Sequence, residues 1–225
     1  MLMSVLLSLS ACSVAMVATL RSDQQVDVTF SGTIKPKVAS LLHDFGSSNQ
    51  NKSGPLISAA EITASLQKVP ELAQVVTKDI AQQGLEGRFK VVNPETLSQR
   101  FPFVNQKLET EESSFSLTLN RETAPQLLSL FTAEVRDYLD ALMAPIATGE
   151  NLTKSDYLAL VSSVYGKTIA EEIASSKITL EVHVPGTIRS VSGGTGSGAK
   201  AFFTIPLVDL LVIEKPLVYR IVWKP

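Results

Sequence analysis

Leu9-Ser10-Ala11-Cys12 closes a charge-free apolar run, and Cys12 is the only cysteine among the 225 residues. The four residue types are those of a lipoprotein cleavage site. A small residue stands before the cut, and the thiol directly after it can accept a diacylglyceryl group. Two other readings of Met1 to Leu20 stay open. Ordinary signal cleavage could follow a small residue such as Ala18. Alternatively the run is an uncleaved anchor, since its length is near the ~20 residues that a helix needs to span a bilayer. No Lys or Arg precedes Cys12, and the residues that follow it, "SVAMVATL", are apolar rather than tether-like. The lipobox leads, and all three readings put the body outside the cytoplasm. The expected organisation is a signal peptide at 1–11, an anchor or tether at 12–24, and a single domain at 25–225.

Other chemistry-bearing patterns are weaker. Ser65-Leu66-Gln67-Lys68 and Ser197-Gly198-Ala199-Lys200 both match Ser-x-x-Lys, but the Ser-Asp-Asn and Lys-Thr-Gly companions are missing, so chance explains them. "SGGTGSGAK" invites a phosphate-loop reading and fails it. Ala199 separates Gly198 from Lys200, and a strand rather than a helix follows. His43 and His183 have no carboxylate or thiol partner by motif, so no triad and no metal site is expected. Glu109, Glu111 and Glu112 read as a solvated loop. No cofactor and no enzymatic activity are expected.

Charge narrows the partners. Twenty Lys and Arg face 22 Asp and Glu, a net charge of -2, so nothing offsets the phosphates of a nucleic acid. A hydrophobic fraction of 44% against 19% charged predicts a packed core.

The elements follow from periodicity. "QQVDVTFSGTI" alternates through Val26, Val28 and Phe30 and predicts a half-buried strand. A polar loop, "GSSNQNKSGP", follows. Ser58 with Glu61 three residues on predicts a capped helix. Pro70 starts a second helix with Val75, Val76 and Ile80 on its apolar face, ended by Gly84. "GRFKVVN" is a strand, Asn93-Pro94 opens a short helix, and "ESSFSLTLN" is a strand. Ala124 to Met143 reads as one long helix, and Thr153 with Asp156 caps another that Gly166 ends. "KTIAEEIASS" is a further short helix. "KITLEVHV" alternates with Glu181 and His183 outward. "TIRSV", "KAFFTI" and "LVYRIVW" are strands, and "LVDLLVI" is open between helix and strand. The fold class is α+β: an antiparallel, curved sheet of N- and C-terminal strands packed on a helical middle segment, with the insert at about 58–176. The first strand is expected in the C-terminal sheet, because an isolated strand leaves its backbone groups unpaired. In the last strand Leu217, Tyr219, Ile221 and Trp223 share one face, opposite Arg220. That face is either core or the lining of a ligand pocket.

The layout from Val184 to Trp223 is strand, Pro-Gly turn, strand, glycine-rich turn, aromatic strand. It resembles bacterial envelope lipoproteins of the spirochaete type and, more distantly, the LppM-like domain. The resemblance implies a curved antiparallel sheet packed on helices and binding of lipids or glycolipids. The expected function is that of a membrane-anchored, non-enzymatic envelope lipoprotein that binds an apolar or amphiphilic ligand. The alternative is a surface-exposed interaction protein, such as an adhesin, without a pocket.

Overall fold

The computed structural model describes residues 13–46, 58–80 and 84–225. The fold is α+β, with strands from both ends of the chain in its sheets and helices between them. Among the described residues the strands divide into two sheets rather than one. The large sheet holds β1 (Ser13–Leu20), β2 (Val26–Thr33), β3 (Leu72–Ile80), β4 (Gly84–Val91), β7 (Lys177–His183), β9 (Thr195–Ser197) and β10 (Lys200–Pro206), in the order β3-β4-β2-β1-β7-β10-β9. The small sheet holds β5 (Val104–Lys107), β6 (Ser113–Leu119), β8 (Thr187–Ser192) and β11 (Leu217–Lys224), in the order β5-β6-β11-β8. Neighbours run antiparallel except β1 and β7, which are parallel.

β1 corrects the sequence reading. Ser13 to Leu20 fall in the expected tether, yet they lie mid-sheet between β2 and β7. Ala18 and Leu20 are buried. The predicted first strand, β2, therefore reaches the C-terminal strands only through β1. A tight turn joins the two, closed by the Arg21 amide donating to the Gln25 carbonyl at 2.9 Å.

The segment after Pro70 is strand β3, not a helix, and Gly84 opens β4 rather than ending a helix. The register against β4 shifts between Ala73 and Val76, and Gln74 adopts φ 53°. This bulge adds a residue before Val76, which interrupts the alternation that begins at Leu72, and the apolar Val75, Val76 and Ile80 then imitate a helical stripe. The 58–176 segment holds β3, β4, β5 and β6 beside its helices.

The long helix expected from Ala124 to Met143 is three pieces: α4 (Ala124–Leu128), α5 (Ala133–Ala141) and α6 (Pro145–Thr148). Thr132 restarts the chain by accepting the Val135 amide at 3.4 Å. α1 (Pro36–Gly46) carries no signal in the reading above. Its start is held by Glu172, whose Oε2 accepts the Lys37 and Val38 amides at 3.1 and 2.9 Å. α2 (Ala59–Gln67) forms where expected, but Ser58 makes no side-chain cap. Asp79 of β3 accepts the Ala59 amide instead, at 2.9 Å. The polar loop expected after α1 lies almost wholly outside the described residues.

Several predicted elements stand. Asn93 caps α3 (Pro94–Arg100), and Thr153 caps α7 (Lys154–Tyr165). Gly166, at φ 94°, separates α7 from α8 (Lys167–Ser175). "LVDLLV" resolves as α9 (Leu207–Val212), and the glycine-rich turn carries the short strand β9.

The two sheets share one core. Val28, Val182 and Phe203 of the large sheet meet Tyr219, Ile221 and Trp223 of the small one. A second core joins α1, α7, α8 and α9 around Tyr157 and Val161. A third, smaller one gathers Phe101, Phe103 and Leu119, with Val69, Leu127 and Leu130 partly buried against them.

Candidate functional site

The predicted site residues fall in different places. Cys12 and the lipobox residues Leu9, Ser10 and Ala11 lie outside the described residues. The chain enters the fold at Ser13, paired with Thr33 of β2 and Lys177 of β7. The stripe on β11 is packed in the sandwich core. Trp223 and Ile221 are 0% exposed and Tyr219 is 7% exposed. The Tyr219 ring meets Phe203 edge-on at 5.5 Å. Leu217 borders a small cavity of 230 Å³ beside the Lys154–Asp209 ion pair of 2.8 Å. That hydrogen bond, with the attraction of Asp209, raises the Lys154 ammonium above its usual range.

His183 does have a carboxylate partner, contrary to the motif reading. On the outer face of β7 its Nε2 lies 2.6 Å from Glu181 Oε1, and Lys200 Nζ lies 2.9 Å from the same oxygen. A period of two puts residues 181 and 183 on one face, and the β7–β10 register brings Lys200 opposite His183. These contacts hold the Glu181 carboxyl below its usual value, His183 first and Lys200 second. Among the described residues no group of three or more His, Cys, Asp or Glu could hold a metal ion. Lys200 is thus engaged at a strand start, and Ser197 is its cross-strand neighbour on β9.

A larger cavity lies elsewhere. It measures about 710 Å³ and opens between α2, the end of α3 and the connection from α4 to α5. Its walls trace directly to the two places where local sequence misleads. The break at Ser129 to Thr132 supplies one wall. The opposite wall is α2, anchored on bulged strand β3 by the Thr63 and Thr77 hydroxyls, 2.6 Å apart, and by Thr77 donating to the Ala59 carbonyl. Phe101, Val69 and Leu130 line the cavity and also belong to the third core. Its apolar floor is therefore the open side of that core.

The charged lining is unequal. Among the described residues Lys68, Arg100 and Arg136 line the cavity against one acid, Glu61. Arg100 is partly engaged, with its guanidinium 3.3 Å from Oε1 of Glu71. Glu71 is 3% exposed, and its Oε2 has no hydrogen-bond partner. Ser65 and Lys68, the first Ser-x-x-Lys pair, both border this cavity. The sequence signals available were that pair and the Thr132 cap, and neither announces a cavity without the tertiary arrangement.

No helix among the described residues is long and apolar enough to cross a membrane. No protein-family model matches the chain. No curated protein matches it. Among solved structures the chain is similar to the folded domain of LppM from Mycobacterium tuberculosis, determined by NMR. That alignment has a TM-score of 0.42 and 10% identity, and covers 95% of this chain and 90% of that one.

Proposed function

We propose that this protein is a non-enzymatic lipoprotein of the bacterial envelope, anchored through Cys12, whose body lies outside the cytoplasm and acts by binding an apolar or amphiphilic ligand. The observation that carries the anchoring is the position of β1. Cleavage before Cys12 leaves the described fold whole. Cleavage after Ala18 would remove six residues, Ser13 to Ala18, from a strand hydrogen-bonded on both sides. That would leave the facing edges of β2 and β7 unpaired at a large cost. An uncleaved helix reaching Leu20 would unmake the same strand. The absence of a tether then sets the sheet end around Ser13, Thr33 and Lys177 directly against the bilayer.

Metabolic labelling with an alkyne fatty acid tests the anchor. Wild type should carry label and mature at Cys12, and Cys12→Ser should lose label and leave the membrane fraction. An unlabelled wild type that begins at Thr19 would sink it.

An interaction surface without a pocket is the second reading, favoured by one observation. Val76 and Phe202 are 50% and 44% exposed. They stand at the two ends of one cross-strand row on the outer face of the large sheet, through Arg88, Thr29, Val17 and Glu181, and the Val76 end of that row borders a 450 Å³ depression while the Phe202 end does not line it. Phe202, beside Glu181, is the exposed apolar group that a partner on this face would cover. Phe202→Lys should abolish a partner interaction of this kind and leave ligand binding intact.

A further inference from the structure

We infer that the cavity between α2, α3 and the α4–α5 break binds an amphiphilic anion, a carboxylate or phosphate head on an acyl-length apolar body. Lys68 and Arg136 take the head, and the Phe101–Leu130 floor takes the body. The inference deepens the binding reading above by naming its site and ligand class.

Size comes first. At about 710 Å³ the cavity falls within the roughly 300–1,000 Å³ of small-molecule pockets. Its floor is apolar because Phe101, Val69 and Leu130 turn an unfinished core toward it. A wholly polar ligand would leave that floor wet.

Charge gives the head its sign. The chain carries a net charge of -2, yet among the described residues three cations and one acid line this cavity. Arg100 already answers Glu71. Among the described residues the side chains of Lys68 and Arg136 have no ion pair or hydrogen bond. Arg136 sits in the first turns of α5, whose start, Thr132 and Ala133, is also part of the wall. A helix start presents unpaired amides and a positive dipole end, so it adds to the same field. A cationic or neutral head would meet these groups without compensation.

The test uses the purified full chain and the fluorescent fatty acid cis-parinarate as probe. Its emission should rise on binding, and oleate should displace it. The neutral analogue monooleoylglycerol should displace it at least about tenfold less well, a difference of ~1.4 kcal/mol. Inorganic phosphate, the head without the body, should not displace it. Lys68→Glu with Arg136→Glu should weaken the probe at least about tenfold with an unchanged melting temperature, because both side chains are exposed. Leu130→Trp, which fills the floor instead, should weaken oleate and monooleoylglycerol alike. Equal displacement by the neutral analogue, full displacement by phosphate, or unchanged affinity in both variants would overturn the inference. Mass spectrometry of co-purifying lipid separates this failure from that of the wider reading. Lipid retained equally by wild type and both variants overturns this site alone, whereas no probe binding and no lipid in wild type overturns both.

Discussion

The sandwich core around Trp223 and the small core around Phe101 are built from similar side chains and end differently. Trp223, Ile221 and Val182 are 0% exposed, closed between two sheets. Phe101 also packs well, at 8% exposure, but its neighbours Val69 and Leu130 are only partly buried and border a 710 Å³ cavity. Closure depends on what covers the apolar face. Two sheets close over one another around Trp223. One short helix and an interrupted pair, α2 against α4 and α5, cannot. The stripe that looked like a pocket lining is sealed, and the opening lies where a helix stops early.

The largest expected effect tests the sealed side. Trp223→Ala should cost about 3–5 kcal/mol, a large share of the stability of a single domain. Denaturant unfolding measures it. Trp223→Phe should cost much less than that, because the indole Nε1 has no hydrogen-bond partner and its loss orphans no acceptor. Blue-shifted emission from Trp223, indifferent to added lipid, should accompany this. A red-shifted, quenchable emission would mean that the sandwich is open.

Arg121, at the entry to α4, should come next. Its guanidinium donates to the carbonyls of Val212, Ile213 and Glu150 at 3.3, 3.2 and 2.9 Å. It thereby fastens the chain entering α4 to the end of α9, where Ile213 holds φ 44°. Arg121→Ala should cost roughly 1.5–3 kcal/mol, as for hydrogen bonds from a charged group. Arg121→Lys should recover only part of it, since one ammonium cannot span three carbonyls. Full recovery would show that charge rather than the planar fork is what matters.

The open side predicts a smaller number. Leu130 is half-buried on the cavity floor, so Leu130→Ala should cost about 1 kcal/mol. Its effect on ligand affinity should be larger than its effect on melting. A cost equal to that of Trp223→Ala would mean that the floor is closed in solution, and the contrast between the two cores would fall.

The smallest effect is electrostatic and belongs to the outer face of the sandwich. The Glu181 carboxyl is held below its usual value by His183 and then Lys200. Folding thus favours the ionised form. The stabilisation is present above the unfolded carboxyl value of about 4.3 and is lost as pH falls through the folded value. Glu181→Gln should melt slightly lower than wild type near neutral pH, and the gap should close in acid. A gap that widens in acid would reverse the sign.

Alternation and caps were readable wherever local pattern and tertiary environment agree. β2, β7 and β10 show a period of two because one face is core and the other is not, and β11 keeps it as far as Ile221, after which Val222 is buried next to Trp223 at a register shift. Asn93, Thr153 and Gly166 mark helix ends because a cap acts within four residues of chain. The sealed face of β11 was readable for the same reason, with Arg220 marking the wet side. α1 was not, because its start rests on Glu172, 134 residues away from the Val38 amide. β3 was not, because its bulge answers to β4 and erases the period. β1 read as part of a tether or anchor and not as a strand, since an apolar segment becomes a strand only when partners on both sides take its hydrogen bonds.

Sequence alone determined the α+β class, the strand faces at the C-terminus, the weakly negative charge and the single thiol at Cys12. Each follows from composition or from neighbours a few residues apart. Tertiary structure alone decided the division into two sheets, the entry of β1 between β2 and β7, and the cavity beside Lys68 and Arg136. A cavity is the volume that packing leaves unfilled. It depends on how α2, α3 and α5 are held apart by the sheets beneath them, and no stretch of chain encodes that distance by itself.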